Sequence, residues 1–361
     1  MIKILLLAWA RPNFMKIAPI IREFHRHQDT ISYKLIHTGQ HFDKNMSDTF
    51  FEDLGIPYPD INLDIHGGSV AEQIWKVMIA FDQIVKEESP NYILVVWDVN
   101  ATVAASLTAR HNHVKVIHIE SGLRSFDMDM PEEINRILTD RISDLLFVTE
   151  PSGMTNLWNE GITKWVHLVW NVMIDTLIYQ RPIFEQKTTH KDMRLEWRDY
   201  ALLTIHRPSN VDEKGNLETL MRNLRNLSEK IILVFPLHPR TKANMEKYDL
   251  GYIFDTPNII TTPPLGYLDF MNLLMHARCI LTDSGWVQEE STYLGIPCLT
   301  MRANTERPIT CEIGSNTMVG SDFTLIGKLL SDILAWGYKK WEIPEYWDGK
   351  AAERIVQIIR K

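Results

Sequence analysis

Short apolar runs alternate with longer amphipathic segments along most of the chain. After the first run, at 3–8, Phe14, Ile17 and Ile21 recur at a helical spacing, which predicts a helix with Pro12 in its first turn. Continuous apolar runs separated by helices are typical of parallel strands buried on both faces of a sheet. The first half therefore predicts an α/β domain, with strands at 3–8, 33–39, 92–98, 115–122, 144–150 and 166–171.

The same alternation begins again after a charged segment, 176–198, that lacks a sustained period and is the expected connection between domains. Further strands are predicted at 200–206, 230–238, 258–263, 279–285 and 297–301. Two such series predict two doubly wound α/β domains, 1–175 and 199–345, facing a central cleft. The remaining segment, 346–361, predicts a helix that the pattern assigns to neither domain.

Charge and cysteine content exclude several classes of protein. A net charge of −8 and an isoelectric point near 5.9 argue against binding to nucleic acid or an anionic membrane, because both need clustered cations. No apolar run approaches the roughly 20 residues of a membrane span, and the first run is too short for a signal peptide. The three cysteines, Cys279, Cys298 and Cys311, lack metal-site spacing and fit a reducing cytosol, so we expect no metal.

Charged side chains follow the predicted strands in both domains. Ligands of open parallel sheets bind beyond the carboxyl ends of the strands, so these side chains are candidate site residues. A single such residue is more often a helix cap or a solvated ion pair, but here they follow most of the strands. The set suggests an anionic ligand held by arginines and helix N-termini, with carboxylates and a histidine for proton transfer. It includes Arg11, Asp98, Glu120, Arg136, His206, His238, Ser284, Glu290 and Arg307.

Nine short motifs then carry a family resemblance. They occur in the family's order and span nearly the whole chain, and they resemble the motifs of the non-hydrolysing UDP-N-acetylglucosamine (UDP-GlcNAc) 2-epimerases. The motifs lie at 11–19, 37–43, 98–100, 120–127, 131–136, 205–211, 283–285, 288–290 and 304–308.

The resemblance implies a GT-B-like fold of two Rossmann-like domains in a cytoplasmic homodimer. It implies interconversion of UDP-GlcNAc and UDP-N-acetylmannosamine (UDP-ManNAc) by anti elimination of UDP to a 2-acetamidoglucal, followed by re-addition. No cofactor or metal takes part in that scheme. The first domain would be the sugar-binding, catalytic half, and the second would be the nucleotide-binding half.

Residue roles follow from the matching motif positions. The resemblance implies acid/base or charge-stabilising roles for Asp98, Glu120, Glu132 and His206. It places the substrate against a larger set, in which Glu290 holds the ribose and Phe270 flanks the uracil. The other members of that set are Arg11, Lys16, Arg136, His238, Ser284 and Arg307.

Tryptophan stands where the family has glycine at Trp9, Trp97, Trp170 and Trp286. The chain has 17 glycines in 361 residues, below the usual share of about 7%, and it has 11 tryptophans. Glycine in such turns permits a positive φ, whereas another residue costs roughly 1–2 kcal/mol there. These departures predict a remodelled site at the strand ends.

Two functional hypotheses follow. In the first, the chain is a UDP-GlcNAc 2-epimerase. In the second, it is an engineered or diverged non-epimerase whose tryptophan-lined cleft binds an aromatic small molecule, or acts on one through a carboxylate base whose pKa desolvation raises. The retained charged residues favour the first hypothesis, and the tryptophans favour the second.

Overall fold

The computed structural model describes residues 1–9, 11–39, 51 and 54–361, and the side chains of Arg11 and Pro12 lie outside that description. The chain divides into two compact units. The first unit comprises Met1–Tyr179 and Glu345–Lys361, and the second comprises Gln180–Pro344. The helix at the end of the chain, which the sequence pattern left unassigned, therefore belongs to the first unit.

The first unit is built on a seven-stranded sheet in the order β3-β2-β1-β4-β5-β6-β7, and every strand pair in it is parallel. The strand order reverses between β1 and β4, and the carboxyl ends of strands at such a reversal are where ligands bind. The strands are β1 (Ile2–Ala8), β2 (Ile31–His37), β3 (Ile61–Asn62), β4 (Tyr92–Val96), β5 (Lys115–Ser121), β6 (Leu145–Val148) and β7 (Val166–Leu168).

Helices connect these strands and bury the apolar faces of the sheet. One apolar cluster joins strand residues such as Leu5 and Val95 to Phe81 and Ala105 of the flanking helices. The helices are α1 (Arg11–Arg26), α2 (Val70–Glu88), α3 (Asn100–His111), α4 (Pro131–Ile142), α5 (Pro151–Asn159) and α6 (Val172–Phe184). Helix α6 crosses the boundary between the units, so part of the expected connection at 176–198 is helical.

The second unit has a six-stranded sheet in the order β10-β9-β8-β11-β12-β13, again with parallel pairs. Its strands are β8 (Tyr200–Thr204), β9 (Ile232–Pro236), β10 (Ile259–Thr262), β11 (Cys279–Thr282), β12 (Cys298–Thr300) and β13 (Asn316–Met318). Its helices are α7 (Thr189–Asp192), α8 (Pro208–Val211), α9 (Lys214–Leu227), α10 (Pro239–Lys247), α11 (Tyr267–His276), α12 (Gly285–Leu294), α13 (Pro308–Glu312) and α14 (Phe323–Leu334).

The last helix, α15 (Ala351–Ile359), packs on α1 in the first unit. The Asp175 carboxylate anchors it by accepting hydrogen bonds from the amides of Ala351 and Ala352, at 3.1 and 2.8 Å. These amides need an acceptor from outside the helix because the first amides of a helix lack partners within it. Among the residues described, none of the helices is both long and apolar enough to span a bilayer.

The predicted fold class, two doubly wound α/β domains, is confirmed by these two sheets. Each predicted strand is present, shortened at one or both ends in most cases. Strands β3 and β13 were not predicted, because two and three residues are too few to show a hydrophobic period.

Candidate functional site

A buried ion pair joins helix α1 to the end of β5 in the first unit. The Lys16 Nζ atom lies 2.5 Å from Glu120 Oε2, and the two side chains are 2% and 0% exposed. Glu120 has a φ of +67°, and the register of β5 against β6 shifts between Ile119 and Ser121. The irregular strand end therefore turns the Glu120 carboxylate toward α1, where a cation compensates its buried charge.

A second buried pair joins α4 to the end of β4. The Arg136 Nε atom donates to Asp98 Oδ2 at 2.8 Å, and the side-chain amide of Asn135 donates to the Asp98 carbonyl at 2.9 Å. Arg136 also pairs with Glu133. Helix α4 thereby fixes both the backbone and the carboxylate of Asp98.

The adjacent carboxylates Glu132 and Glu133 lie in different environments on α4. Glu133 is 1% exposed and accepts hydrogen bonds from the Ser125 and Phe126 amides, each at 2.9 Å. Glu132 is half-buried, and its carboxylate has no hydrogen-bond or ion-pair partner in the part of the chain that the structure describes. Glu132 is therefore available for proton transfer, whereas Glu133 is structural.

The three tryptophans of the first unit that were expected to line a cleft contact three different neighbours. Trp9 is 5% exposed and belongs to the apolar core. The ring of Trp97 lies beneath Lys16, with Nζ 4.3 Å from the ring centroid, and Trp170 stacks on Tyr346 at 5.5 Å. Since the Trp9 ring is enclosed by core residues, it is not placed to stack on a ligand.

In the second unit, His206 follows β8 and is held by Asp283 at the end of β11. The His206 Nδ1 atom lies 3.1 Å from Asp283 Oδ1, and the amides of His206 and Arg207 also donate to this carboxylate. Burial alone would raise the pKa of Asp283, but the hydrogen bonds from His206, Arg207 and Asn210 outweigh it and lower that pKa. With Nδ1 directed to an ionised carboxylate, Nε2 of His206 is left for proton exchange.

Two buried glutamates lie next to each other on α12. Arg307 Nε pairs with Glu289 Oε1 at 2.6 Å, while Glu290 Oε1 accepts a hydrogen bond from the Tyr267 hydroxyl at 2.9 Å. Glu290 is fully buried, and burial, opposed by the Tyr267 hydrogen bond and assisted by Glu289, raises its pKa well above the usual value. Glu290 therefore favours the neutral form, whereas the charge of Arg307 is compensated by Glu289.

The other predicted residues of the second unit lie at its strand and helix ends. Ser284 precedes the first turn of α12 and is buried. The Phe270 ring packs against Trp286, with centroids 5.6 Å apart. The exposed His238 caps α10 by accepting from the Arg240 amide, and its ring stacks on His206 at 5.0 Å.

The structure pairs Lys16 with Glu120 and Arg136 with Asp98 in the first unit, and Lys16 also lies over the ring of Trp97, the residue before Asp98. The Arg11 side chain and most of the 37–43 motif lie outside the described residues. Sequence reasoning missed Asp283 as a partner of His206, although its position directly after β11 was a usable signal. Among the described residues, no group of three His, Cys, Asp or Glu side chains is placed to hold a metal ion.

The chain is similar to known proteins over nearly its whole length. The family model described as UDP-N-acetylglucosamine 2-epimerase matches residues 22–360. The chain belongs to the UDP-N-acetylglucosamine 2-epimerase family. A UDP-N-acetylglucosamine 2-epimerase homolog of Methanococcus maripaludis is 39% identical over 365 residues, covering 99% of both chains.

Two further relatives of this epimerase-family chain matter for the site. A crystal structure of the Methanocaldococcus jannaschii UDP-GlcNAc 2-epimerase in complex with UDP-GlcNAc and UDP is 38% identical, with a TM-score of 0.91 and 99% of each chain covered. The UDP-2,3-diacetamido-2,3-dideoxy-D-glucuronate 2-epimerase of Pseudomonas aeruginosa is also 38% identical, over 99% of both chains. These findings confirm the family resemblance, the GT-B-like fold and the isomerase class. They do not favour the aromatic-ligand alternative.

Proposed function

We propose that this chain interconverts UDP-GlcNAc and UDP-ManNAc by eliminating UDP and adding it back. The observation that carries the proposal is the match to the M. jannaschii enzyme, whose crystal structure holds UDP-GlcNAc and UDP. The buried ion pairs of the first unit and the oriented histidine of the second support it. Both would supply what the chemistry requires: groups that exchange protons and cations that stabilise a departing phosphate.

In the proposed reaction, a base removes the proton from C2 of the sugar. The electron pair of that C–H bond forms the C1=C2 double bond, and the bond between C1 and the phosphate oxygen breaks, which releases UDP. Re-addition of UDP to C1, with a proton delivered to the opposite face of C2, gives the epimer. The scheme is redox-neutral and needs no cofactor.

The first unit is the proposed sugar-binding half. Glu132 carries the best-placed carboxylate for proton transfer, because Asp98 and Glu120 are each committed to a buried cation. Those two ion pairs would keep Lys16 and Arg136 fixed beside the sugar and the departing oxygen. A cation that is already positioned stabilises developing negative charge without further reorganisation.

The second unit is the proposed nucleotide-binding half. Arg307, together with the α12 N-terminus that follows Ser284, would hold the pyrophosphate, and His206 would exchange a proton with it. The raised pKa of Glu290 suits a position near a dianion, because a neutral carboxyl can bind ribose hydroxyls without repelling phosphate. We retain Phe270 as the proposed neighbour of the uracil and His238 as a further substrate contact.

Solvent exchange tests the proposal. Incubation with UDP-GlcNAc in deuterated water should place deuterium at C2 of both UDP-GlcNAc and UDP-ManNAc, because elimination releases that proton to solvent. Glu132→Gln should lower kcat by about 10²–10⁴-fold, a typical contribution of a general acid or base. Glu87→Gln, at an exposed position on α2, is the matched control and should leave kcat unchanged. Epimerisation without deuterium at C2 would contradict the elimination route.

A second sugar nucleotide belongs in the same assay. The P. aeruginosa relative named for UDP-2,3-diacetamido-2,3-dideoxy-D-glucuronate is as similar to this chain as the UDP-GlcNAc 2-epimerases are. Epimerisation at C2 is common to the names of both kinds of relative. A higher kcat/KM for the diacetamido-glucuronate would transfer the assignment to that substrate.

We also propose that the enzyme works in the cytoplasm as a homodimer. Helix α3 packs between α2 and α4, and these outer helices present apolar side chains to solvent. Trp75 and Ile79 of α2 are 50% and 64% exposed, and Leu138 of α4 is 48% exposed. Such a surface is typical of a protein interface. Light scattering should report twice the chain mass for the parent and the chain mass for Ile79→Glu; a monomeric parent would contradict the proposal.

A further inference from the structure

A histidine and an aspartate that the proposed reaction does not use lie behind the first-unit carboxylates. His118 belongs to β5 and Asp140 to α4, and both side chains are 0% exposed. His118 Nδ1 lies 2.7 Å from Asp140 Oδ1. The two residues are thus buried beneath the strand ends that carry Asp98 and Glu120.

The pair holds the backbone beside both of those carboxylates. His118 Nε2 donates to the carbonyl oxygen of Trp97, the residue before Asp98, at 2.9 Å. The other Asp140 oxygen accepts from the amide of Gly122, two residues after Glu120, at 3.0 Å. The buried His118–Asp140 pair therefore connects the end of β4 to the turn that follows β5.

The contacts of His118 fix the orientation of its ring. Nδ1 faces the Asp140 carboxylate and Nε2 faces the Trp97 carbonyl. Burial would raise the pKa of Asp140, but its contacts with His118 and Arg124 outweigh burial and lower that pKa. Arg124 also pairs with Glu160 at 2.7 Å. His118 and Arg124 therefore hold the two oxygens of one buried carboxylate.

We propose that His118 is a positioning residue for the epimerase reaction. Its ring, held by Asp140, fixes the Trp97 carbonyl and thereby sets where Asp98 stands relative to Glu120. This role rests on the proposed function. It matters because a displacement of about 1 Å at a reacting group can lower the rate by about 10²-fold.

Two variants with amide side chains each keep one of the two hydrogen bonds of His118. His118→Gln places an amide N–H near the position of Nε2 and can keep the bond to the Trp97 carbonyl. His118→Asn places an N–H near Nδ1 and can keep only the bond to Asp140. We expect kcat to fall about 10–100-fold more in the Asn variant than in the Gln variant, with KM and UDP affinity close to the parent values in both. Equal kcat values, or a change in KM alone, would overturn the proposal.

Nuclear magnetic resonance of the ¹⁵N-labelled parent supplies a readout that does not depend on turnover. The His118 Nε2 atom should carry a proton that is hydrogen-bonded to the Trp97 carbonyl, and an Nε2 without a proton would overturn the positioning role. If the parent lacks turnover while Nε2 carries that proton, the proposed function fails and the His118 geometry stands. Thermal unfolding of both variants shows whether the difference in kcat reflects local geometry rather than loss of fold.

Four tryptophans lie on left-handed backbone. Within the described ranges, Trp97, Trp165, Trp170 and Trp336 have φ values of +69°, +58°, +71° and +61°. Only a few per cent of non-glycine residues have a positive φ, and a bulky residue there is a genuine outlier. Four of the 11 tryptophans far exceed that share, so these four backbones are glycine-like.

The four positions do not form one ligand site. Trp165 and Trp336 are 66% and 84% exposed. Trp336 follows the C-cap residue Ala335 of α14, and the amides of Trp336 and Gly337 donate to the carbonyls of Ile333 and Asp332. This is the Schellman arrangement, in which the left-handed residue is usually glycine. Remodelling of a pocket does not explain a tryptophan at the exposed end of a helix.

We infer that these four codons are UGA and that the source organism reads them as glycine. UGA specifies tryptophan in some genetic codes and glycine in others, so one decoding difference accounts for all four positions in both units. The native polypeptide then has glycine at these four positions. The same cause contributes to the low glycine content and the high tryptophan content of the sequence.

The gene and the native protein test this inference together. The gene should have UGA at the four positions. In protein isolated from the source cells, the tryptic peptide 165–187, which carries two of the positions, should have the mass expected with two glycines. UGG codons at these positions, or a peptide mass that requires tryptophan, would overturn the inference.

Discussion

Replacing Trp336 with glycine measures what the left-handed backbone costs. A non-glycine residue in this region is destabilised by roughly 1–2 kcal/mol. The ring is 84% exposed, so it buries about 25–40 Å² of the roughly 150–250 Å² that a buried aromatic side chain covers. At about 25 cal/mol per Å², that burial is worth about 0.6–1 kcal/mol, and it includes the contact with Arg278. Glycine also makes the unfolded chain more flexible, which costs about 0.4–1 kcal/mol. We therefore expect the free energy of unfolding of Trp336→Gly to lie within about 1 kcal/mol of the parent value.

Urea unfolding of two matched variants isolates the contribution of the left-handed backbone. Trp336→Ala loses the ring but keeps a Cβ atom on the left-handed backbone, so it should be about 0.6–1 kcal/mol less stable than the parent. Trp197 is in the same unit and is 91% exposed, with an ordinary φ. Trp197→Gly should lose about 0.4–1 kcal/mol because glycine makes the unfolded chain more flexible. Equal stability of Trp336→Gly and Trp336→Ala would refute the reasoning.

Three further predictions concern buried charges. Lys16→Met leaves Glu120 buried without its cation, so chemical denaturation should show a loss of about 3–5 kcal/mol, and adding Glu120→Gln should recover part of it. Burial raises the pKa of Asp175 to about 7 from 3.8. Its contribution to stability is therefore complete below the pKa of the unfolded chain and is lost as the pH rises through about 7. Asp175→Asn should weaken the dependence of the melting temperature on pH between pH 4 and 8. The pKa of Asp283 is lowered instead. Its contribution to stability is therefore present above the pKa of the unfolded chain and is lost as the pH falls through the lowered pKa. Asp283→Asn should therefore weaken the acid dependence of unfolding and, through His206, lower kcat with little change in UDP affinity.

Hydrophobic patterning predicted the secondary structure well because it directly reflects burial. The run at 115–122 became β5, buried along almost its whole length. Helix α1 begins at the predicted place because its apolar positions recur every three or four residues. Strand β13 was missed because it has only three residues, Asn316–Met318, and is defined by its pairing with β12 rather than by its own pattern.

The sequence predicted where the site residues lie in the fold, but not which side chains they form ion pairs with. Asp98 and Glu120 were expected at strand ends, yet the sequence did not show that Arg136 and Lys16 would neutralise them. Nor did it separate Glu132 from Glu133, which are adjacent in sequence but face different surroundings. These differences depend on helix α4 packing against the strand ends.

The sequence by itself determined the alternation of strands and helices, the chemistry available at the strand ends, and the positions where tryptophan replaces a family glycine. The tertiary structure alone decided which charges pair, which carboxylate stays neutral and which tryptophans lie on left-handed backbone. The physical reason is that patterning is local, whereas ion pairing and desolvation depend on groups far apart in the chain. His118 and Asp140, separated by 22 residues, meet at 2.7 Å only because α4 folds back onto β5.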